Sequence, residues 1–225
     1  MRKGEEKRQI VLAAAEELFL SNGYETTSVQ DILDALHISK GGFYHYFATK
    51  EEVLRQLIAQ RAQRAAAYTA EGMEKAKNDM ERINAVLRGF VPTRREEASF
   101  LRMLMPLIER TEGRTIAMLY QDALLAHFLP LLSEEVRRAS ENGTICPPVK
   151  GMEESVLHLT NRCWMAAAAE VSRACRNGSP IDAGMLLTTL ERYRRSVEVL
   201  LDAPYGSVEL LRVEELAAVA EELRV

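Results

Sequence analysis

The sequence predicts an all-α protein in which a small N-terminal three-helix bundle precedes a larger helical domain. Along nearly the whole chain, apolar residues recur at the three- and four-residue spacing of helices. Clusters of Pro, Gly and Asn interrupt these patterns, for example at residues 177–180 and 204–206. We find no convincing alternating pattern of a strand. We therefore expect helices joined by short turns.

The first two helices are predicted from their caps. An apolar helical pattern stops at the Asn-Gly pair at 22–23, which is a typical helix end. A short second helix follows, and its capping box is formed either by Ser28 with Asp31 or by Thr27 with Gln30.

A third helix is predicted to begin at once, with Ser39 as its N-cap. Two short helices separated by about three residues form a helix-turn-helix, here at about residues 28–47. The capping box at 49–52 then begins a long helix over about 50–72.

The domain boundary is predicted inside that long helix. We expect a helix-turn-helix domain over residues 1–65 and a larger helical domain over 66–225. Pro106 and Pro130 fall inside apolar runs and are expected to kink or split their helices. The later helices are predicted at about 78–89, 95–109, 114–139, 153–176, 182–202 and 207–224.

An aromatic band follows the start of the third helix. At about 100° per residue, Phe43 and Phe47 lie about 40° apart and face the same way. We expect these two rings to fill the core of the small bundle. Tyr44, His45 and Tyr46 then point outward, where their polar atoms are able to donate to phosphate oxygens.

Two glycines open the same helix. Each costs about 1 kcal/mol of helix stability, which a purely structural helix has little reason to carry twice. The absence of side chains at Gly41 and Gly42 allows the backbone to approach a major groove closely. Lys40 and Lys50 add positive charge nearby. The alternative, a plain aromatic core patch on a helical hairpin, leaves both glycines unexplained.

Bulk charge does not support nucleic-acid binding. The net charge is −4, and the first fifty residues carry six basic and seven acidic side chains. Any contact with DNA must therefore come from local geometry, and we expect few neutralised phosphates.

The sequence lacks the motifs of catalytic, metal and cofactor sites. The four histidines show no metal-binding spacing, and there is no Walker loop, nucleophile elbow or dinucleotide fingerprint. We expect no enzyme, no metal and no cofactor. Three cysteines without a C-x-x-C pair fit a reducing cytosol. The charged N-terminus and the lack of an apolar stretch near about 18 residues predict a cytoplasmic protein with no membrane partner.

Residues 18–54 carry a family resemblance. The segment LFLSNGYETTSVQDILDALHISKGGFYHYFATKEEVL resembles the N-terminal domain of the tetracycline-repressor (TetR) family of bacterial transcription regulators, and the similarity covers about residues 5–65. The resemblance implies a homodimer that binds palindromic double-stranded operator DNA as a repressor. It also implies that the C-terminal domain, over 66–225, dimerises and binds a small effector that releases the DNA. The Met-rich composition of that domain favours an apolar effector.

Matching positions carry the implied DNA contacts onto this chain. Two departures from the family pattern are His37, at a turn position often filled by glycine, and Gly42, where many relatives have a side chain that reaches a base. His37 must adopt a left-handed conformation. The implied contact residues are Thr27, Ser28, Lys40, Gly41, Gly42, Tyr44, His45, Tyr46 and Lys50.

The last predicted long helix carries an apolar seam with heptad spacing, which favours packing against a nearly parallel helix. The preceding helix offers small residues that permit close approach. Periodicity alone does not separate a dimer interface from packing inside one subunit, and the resemblance favours the dimer. The interface candidates are Cys163, Ala167, Leu186, Leu190, Tyr193, Val197 and Leu200.

Effector contacts are harder to choose, since Met-rich and aromatic runs suit both a pliable pocket and an ordinary core. The candidates are Phe100, Met103, Leu104, Phe128, Trp164 and Met165. An alternative function also stays open: a helical dimeric module that binds a small molecule or a protein and has reduced DNA recognition.

Overall fold

The computed structural model describes residues 3–108, 114–180, 182–212 and 215. Within these ranges no residue lies in a strand, and the all-α prediction is confirmed. The helices are α1 (Lys3–Asn22), α2 (Val29–Leu36), α3 (Lys40–Tyr44), α4 (Lys50–Met73), α5 (Asp79–Gly89), α6 (Arg95–Ile108), α7 (Arg114–Glu141), α8 (Glu153–Asn177) and α9 (Ala183–Leu201).

Backbone proximity groups the chain into two compact units. The N-terminal unit comprises residues 1–61 and 99–123, and the C-terminal unit comprises residues 62–98 and 124–225. This grouping assigns 99–123 differently from the predicted domains 1–65 and 66–225. The division of function at about residue 65 stays a prediction.

Aromatic rings fill the core of the N-terminal unit. Phe19, Phe43, Phe47 and Phe100 are fully buried. The rings of Phe43 and Phe47 lie 5.9 Å apart, as expected for side chains on one helical face. Phe100 brings α6 into this core, which explains why part of α6 groups with the first four helices.

The caps of α2 hold the predicted turn. Ser28 Oγ accepts a hydrogen bond from the Asp31 amide at 3.2 Å, and the Asp31 carboxylate accepts one from the Ser28 amide at 2.7 Å. The Ser28–Asp31 capping box is therefore the one formed. His37 ends α2 with φ 52° and ψ 41°, so its predicted left-handed conformation is confirmed.

Ion pairs and rings join α5 and α7 in the C-terminal unit. Phe90 and Phe128 pack edge to face with centroids 5.5 Å apart. The Arg82 guanidinium donates to the buried Glu135 carboxylate at 2.6 and 2.8 Å. In the same unit, α8 and α9 pack against each other.

The predicted helix over 207–224 does not begin where expected. Residues 207–212 are not helical, residue 215 is helical, and the rest of the range lies outside the described residues. The side-chain amide of Asn84 explains the difference. It donates to the Ser207 carbonyl and accepts from the Glu209 amide, both at 2.8 Å, so the Ser207 carbonyl is occupied by a partner other than a helix amide.

The two internal prolines do not divide their helices. α6 continues through Pro106, and α7 continues through Pro130. The predicted end of the α6 pattern at residue 109 lies outside the described residues.

The expectation that no apolar stretch approaches the length of a membrane span is wrong. The segment Thr115–Glu141 is long and apolar enough, by length and composition, to cross a membrane. Length and composition do not separate a spanning helix from a core helix. Phe128 and Leu132 of this segment are buried in the C-terminal unit.

Candidate nucleic-acid interface

The α3 segment separates its aromatic side chains by exposure. Phe43 is fully buried, whereas its neighbour Tyr44 is 55% exposed. His45 is exposed and Tyr46 is half-buried, with the two rings 4.8 Å apart. The outward direction predicted for this run is thus clear for Tyr44 and His45 and partial for Tyr46.

The glycine pair lies at the surface of the N-terminal unit. Gly41 is exposed and Gly42 is half-exposed. A Cβ atom added at Gly41 meets nothing closer than Ser39 Oγ at 3.9 Å, and one added at Gly42 meets the same atom at 3.5 Å. Within the described residues, no contact therefore requires glycine at either position.

Ser39 caps this helix from within the turn. Its Oγ accepts a hydrogen bond from the Gly42 amide at 3.2 Å. Lys40 follows as an exposed side chain. The polar side-chain atoms of Lys40, Tyr44 and His45 have no hydrogen-bond partner among the described residues, so they are available to solvent or a ligand.

The structure places Thr27 inside the unit. This residue is 1% exposed, and its hydroxyl donates to the carbonyl of Gly23 at 2.8 Å and of Leu18 at 3.3 Å. Its neighbour Ser28 is exposed. Of the two alternatives that the resemblance implies, Ser28 is therefore the one at the surface.

Lys50 also has internal partners. Its Nζ donates to the carbonyl oxygens of Tyr24 and Thr27, each at 2.9 Å. The same ammonium lies 4.3 Å from the centroid of the Tyr24 ring. These contacts tie the first residue of α4 to the segment before α2, which differs from the free phosphate-reaching side chain that the sequence suggests.

The effector candidates do not come together in one unit. Phe100, Met103 and Leu104 belong to the N-terminal core. Phe128, Trp164 and Met165 belong to the C-terminal unit. Met165 is 43% exposed, whereas Trp164 is buried and its Nε1 has no hydrogen-bond partner among the described residues.

The interface candidates on α8 and α9 divide by burial. Cys163, Ala167 and Val197 are fully buried within the single chain, and Leu186 is nearly so. These four side chains have no surface for a second subunit. Three others, Leu190, Tyr193 and Leu200, are half-buried and keep some surface.

Three exposed apolar residues near this face are not among the predicted interface residues. Leu187 and Val199 on α9 are 59% and 55% exposed, and Met185 is 40% exposed. Heptad spacing selected the face that packs inside the subunit, since both faces of α9 carry apolar residues. Counting the apolar residues of α9 that lie outside the seam would have found them.

Burial raises the pKa of the Cys163 thiol to about 12, so this group stays protonated at neutral pH.

Comparison with known proteins identifies the N-terminal segment. Residues 11–57 match the family model described as bacterial regulatory proteins, tetR family. The chain is 37% identical over 67 residues to the HTH-type transcriptional regulator UidR of Escherichia coli (strain K12). This aligned region covers 30% of this chain and 34% of UidR. It is 27% identical over 146 residues to the HTH-type transcriptional regulator TcmR of Streptomyces glaucescens. This second aligned region covers 62% of this chain and 57% of TcmR. The chain thus spans less than two thirds of the length of these curated relatives.

The whole fold has a counterpart among solved structures. FadR from Bacillus subtilis, in complex with stearoyl-CoA, superposes with a TM-score of 0.52 at 16% identity over 88% of this chain and 99% of that one. At this identity the likeness shows the fold alone. The family match covers residues 11–57, which include the capped helix-turn-helix, so this N-terminal segment is similar to the bacterial regulatory proteins of the tetR family.

Proposed function

We propose that this protein is a ligand-responsive transcriptional regulator, most simply a repressor, that binds double-stranded operator DNA through α3 and the residues next to it. The observation that carries the proposal is the surface glycine pair. A Cβ added at Gly41 or Gly42 would not clash with any described part of the protein. The missing side chains are therefore explained by close approach of an external partner.

The contact set follows from exposure. Lys40, Tyr44 and His45 are exposed and have polar atoms that can reach phosphate or base edges. Ser28 extends the set at the start of α2, and Tyr46 contributes through its half-exposed ring.

Thr27 and Lys50 position this surface from inside. Lys50 fixes the Tyr24 and Thr27 carbonyls, and Thr27 is followed directly by the N-cap of α2. Loss of the Lys50 contacts is thus expected to change DNA binding through the placement of α2 rather than through a lost phosphate contact.

We propose that the regulator acts as a homodimer on a palindromic operator. Two-fold symmetry then places two α3 segments about 34–36 Å apart, one turn of DNA. The exposed faces of α8 and α9 are the proposed contact, with Leu187, Leu190 and Met165 as apolar anchors. Charged residues on the same two helices supply the rim.

The effector is proposed to bind in the C-terminal unit. Trp164 supports this proposal, because its buried indole N–H has no partner among the described residues. α4 includes residues of both units and begins at Lys50, so a shift of α4 would reach the support of α2. A coupling of about 1–3 kcal/mol changes operator affinity by about 5–150-fold. The proposed role is cytoplasmic and requires no enzymatic step or cofactor.

The test uses DNA selected from a random duplex library by the full-length protein. Binding is then measured by fluorescence anisotropy for the wild type and for Tyr44→Ala and His45→Ala. We expect each substitution to weaken binding about tenfold or more through lost phosphate or base contacts. Tyr68→Ala is the matched control, since Tyr68 is 58% exposed but lies on α4 in the C-terminal unit.

Selection of no duplex, or equal affinity of both α3 variants and wild type, would refute DNA binding through this surface. The helical module with reduced DNA recognition would then be the better account.

A further inference from the structure

A cavity of about 330 Å³ lies within the N-terminal unit, between the end of α1, the turn that follows it and α6. Its volume is within the range of small-molecule pockets, about 300–1,000 Å³. The apolar wall is formed by Phe19, Met103, Pro106 and Leu107. None of these residues belongs to the proposed DNA surface.

Tyr24 lines this cavity and carries a buried polar group without a partner among the described residues. This residue is 8% exposed, and the unpaired group is its hydroxyl. Buried polar groups are nearly always paired, and an unpaired one destabilises the fold. A bound molecule with a suitable oxygen would remove that cost.

The Tyr24 hydroxyl is a donor at neutral pH. Burial, and then the negative charges of Glu51 and Glu25, raises the pKa of Tyr24 to about 12. The protonated phenol therefore favours an acceptor such as a carbonyl oxygen.

The charges at the cavity favour a neutral occupant. Arg102 and Glu25 both line it, so one positive and one negative side chain are present. The field of Glu25 and Glu51 that raises the Tyr24 pKa also opposes a carboxylate next to that hydroxyl. A neutral acceptor avoids this repulsion.

We propose that this cavity binds a small, uncharged, largely apolar molecule with one carbonyl oxygen, such as an aryl ketone, which accepts a hydrogen bond from Tyr24. The site is separate from the effector site proposed for the C-terminal unit.

Occupation of the cavity has a direct route to the helix-turn-helix. The Tyr24 carbonyl accepts from Lys50 at 2.9 Å, and so does the Thr27 carbonyl just before the N-cap of α2. A ligand packed against Tyr24 stabilises this arrangement. If the proposed DNA-binding function is correct, on which this step rests, the ligand should tighten operator binding, by about two- to fivefold.

The test is a titration of the full-length protein with acetophenone, followed by NMR of labelled methionine methyl groups. Met103 lines this cavity, and Met152 lines a separate cavity of about 530 Å³ in the C-terminal unit, so the two methyl groups are matched reporters. We expect the Met103 signal to shift and the Met152 signal to stay. Met103→Leu and Met152→Leu assign the two signals.

Three comparisons define the chemistry. Ethylbenzene, which lacks the oxygen, and benzoate, which is charged, should each bind about tenfold more weakly than acetophenone. Tyr24→Phe should weaken acetophenone to the level of ethylbenzene. The same variant should melt at the wild-type temperature or above, because it removes a buried unpaired hydroxyl.

The proposal is overturned if acetophenone at millimolar concentration shifts neither signal, if it shifts Met152 instead, or if Tyr24→Phe leaves its affinity unchanged. A Met103 shift without any change in operator affinity keeps the binding site and refutes its regulatory effect. If no DNA binds, the proposed function fails, while the NMR titration still decides the ligand site.

Discussion

The helix-turn-helix at 28–47 and the α8–α9 pair differ in what fixes their exposed faces. In the first region, caps at Ser28 and Ser39 determine where each helix begins, and the position of each side chain follows from its distance to the cap. In the second region, both helices are long and carry apolar residues on more than one face. The exposed face of a short capped helix can therefore be predicted from sequence, whereas that of a long helix with two apolar faces cannot.

The largest effect is expected from removal of a ring that the α3 register places inward. Phe43→Ala should lower the free energy of unfolding by about 3–5 kcal/mol, since Phe43 is fully buried. Urea denaturation followed by circular dichroism measures this change. The adjacent Tyr44→Ala, on the exposed side, should stay within about 0.5 kcal/mol of wild type. Equal losses at both positions would show that the assigned register is wrong.

The two lysines of the helix-turn-helix region differ in their partners, so their substitutions should have different effects. Lys50→Met should destabilise the protein by about 2 kcal/mol, because a charged donor loses two carbonyl partners. Lys40→Met should leave stability unchanged and reduce the salt slope of DNA binding by about one. Stability is measured by urea denaturation and the slope by anisotropy at several salt concentrations. A reduced salt slope for Lys50→Met would instead support the phosphate contact that the resemblance implies.

Much of the N-terminal unit is predictable because its signals are local. The capping box, the left-handed His37 and the inward pair Phe43 and Phe47 all follow from residues fewer than ten positions apart. The internal partners of Lys50 do not follow, since its bonds reach Tyr24 and Thr27, more than twenty positions away. The local sequence around a lysine at a helix start does not show whether its ammonium binds a phosphate or a carbonyl of its own chain.

The C-terminal unit depends more on distant contacts. Asn84 bonds to the backbone of Ser207 and Glu209, more than a hundred positions away, and no local pattern opposes a helix there. Leu186 and Val197 of the predicted seam are buried in the single chain, where α9 packs against α8. Periodicity identifies a buried face and not the element that covers it.

The α9 surface provides a further prediction. Leu187→Glu should weaken the proposed homodimer at least tenfold, because it places a charge in an apolar contact, while leaving the single subunit folded. Sedimentation equilibrium measures the dimer. Val149→Glu is the matched control, since Val149 is similarly exposed, at 57%, but lies between α7 and α8. An unchanged dimer with Leu187→Glu would mean that α9 does not provide the interface.

The smallest effect concerns Gly41, where stability and binding should move in opposite directions. An added Cβ meets only Ser39 Oγ at 3.9 Å, so Gly41→Ala fits the folded protein. Alanine is the better helix former and should stabilise the unit by up to about 1 kcal/mol. The same methyl group projects from an exposed position and should hold the backbone away from DNA, which weakens binding about tenfold. If Gly41→Ala is more stable and still binds DNA as well as wild type, the glycine is not needed for close approach of DNA.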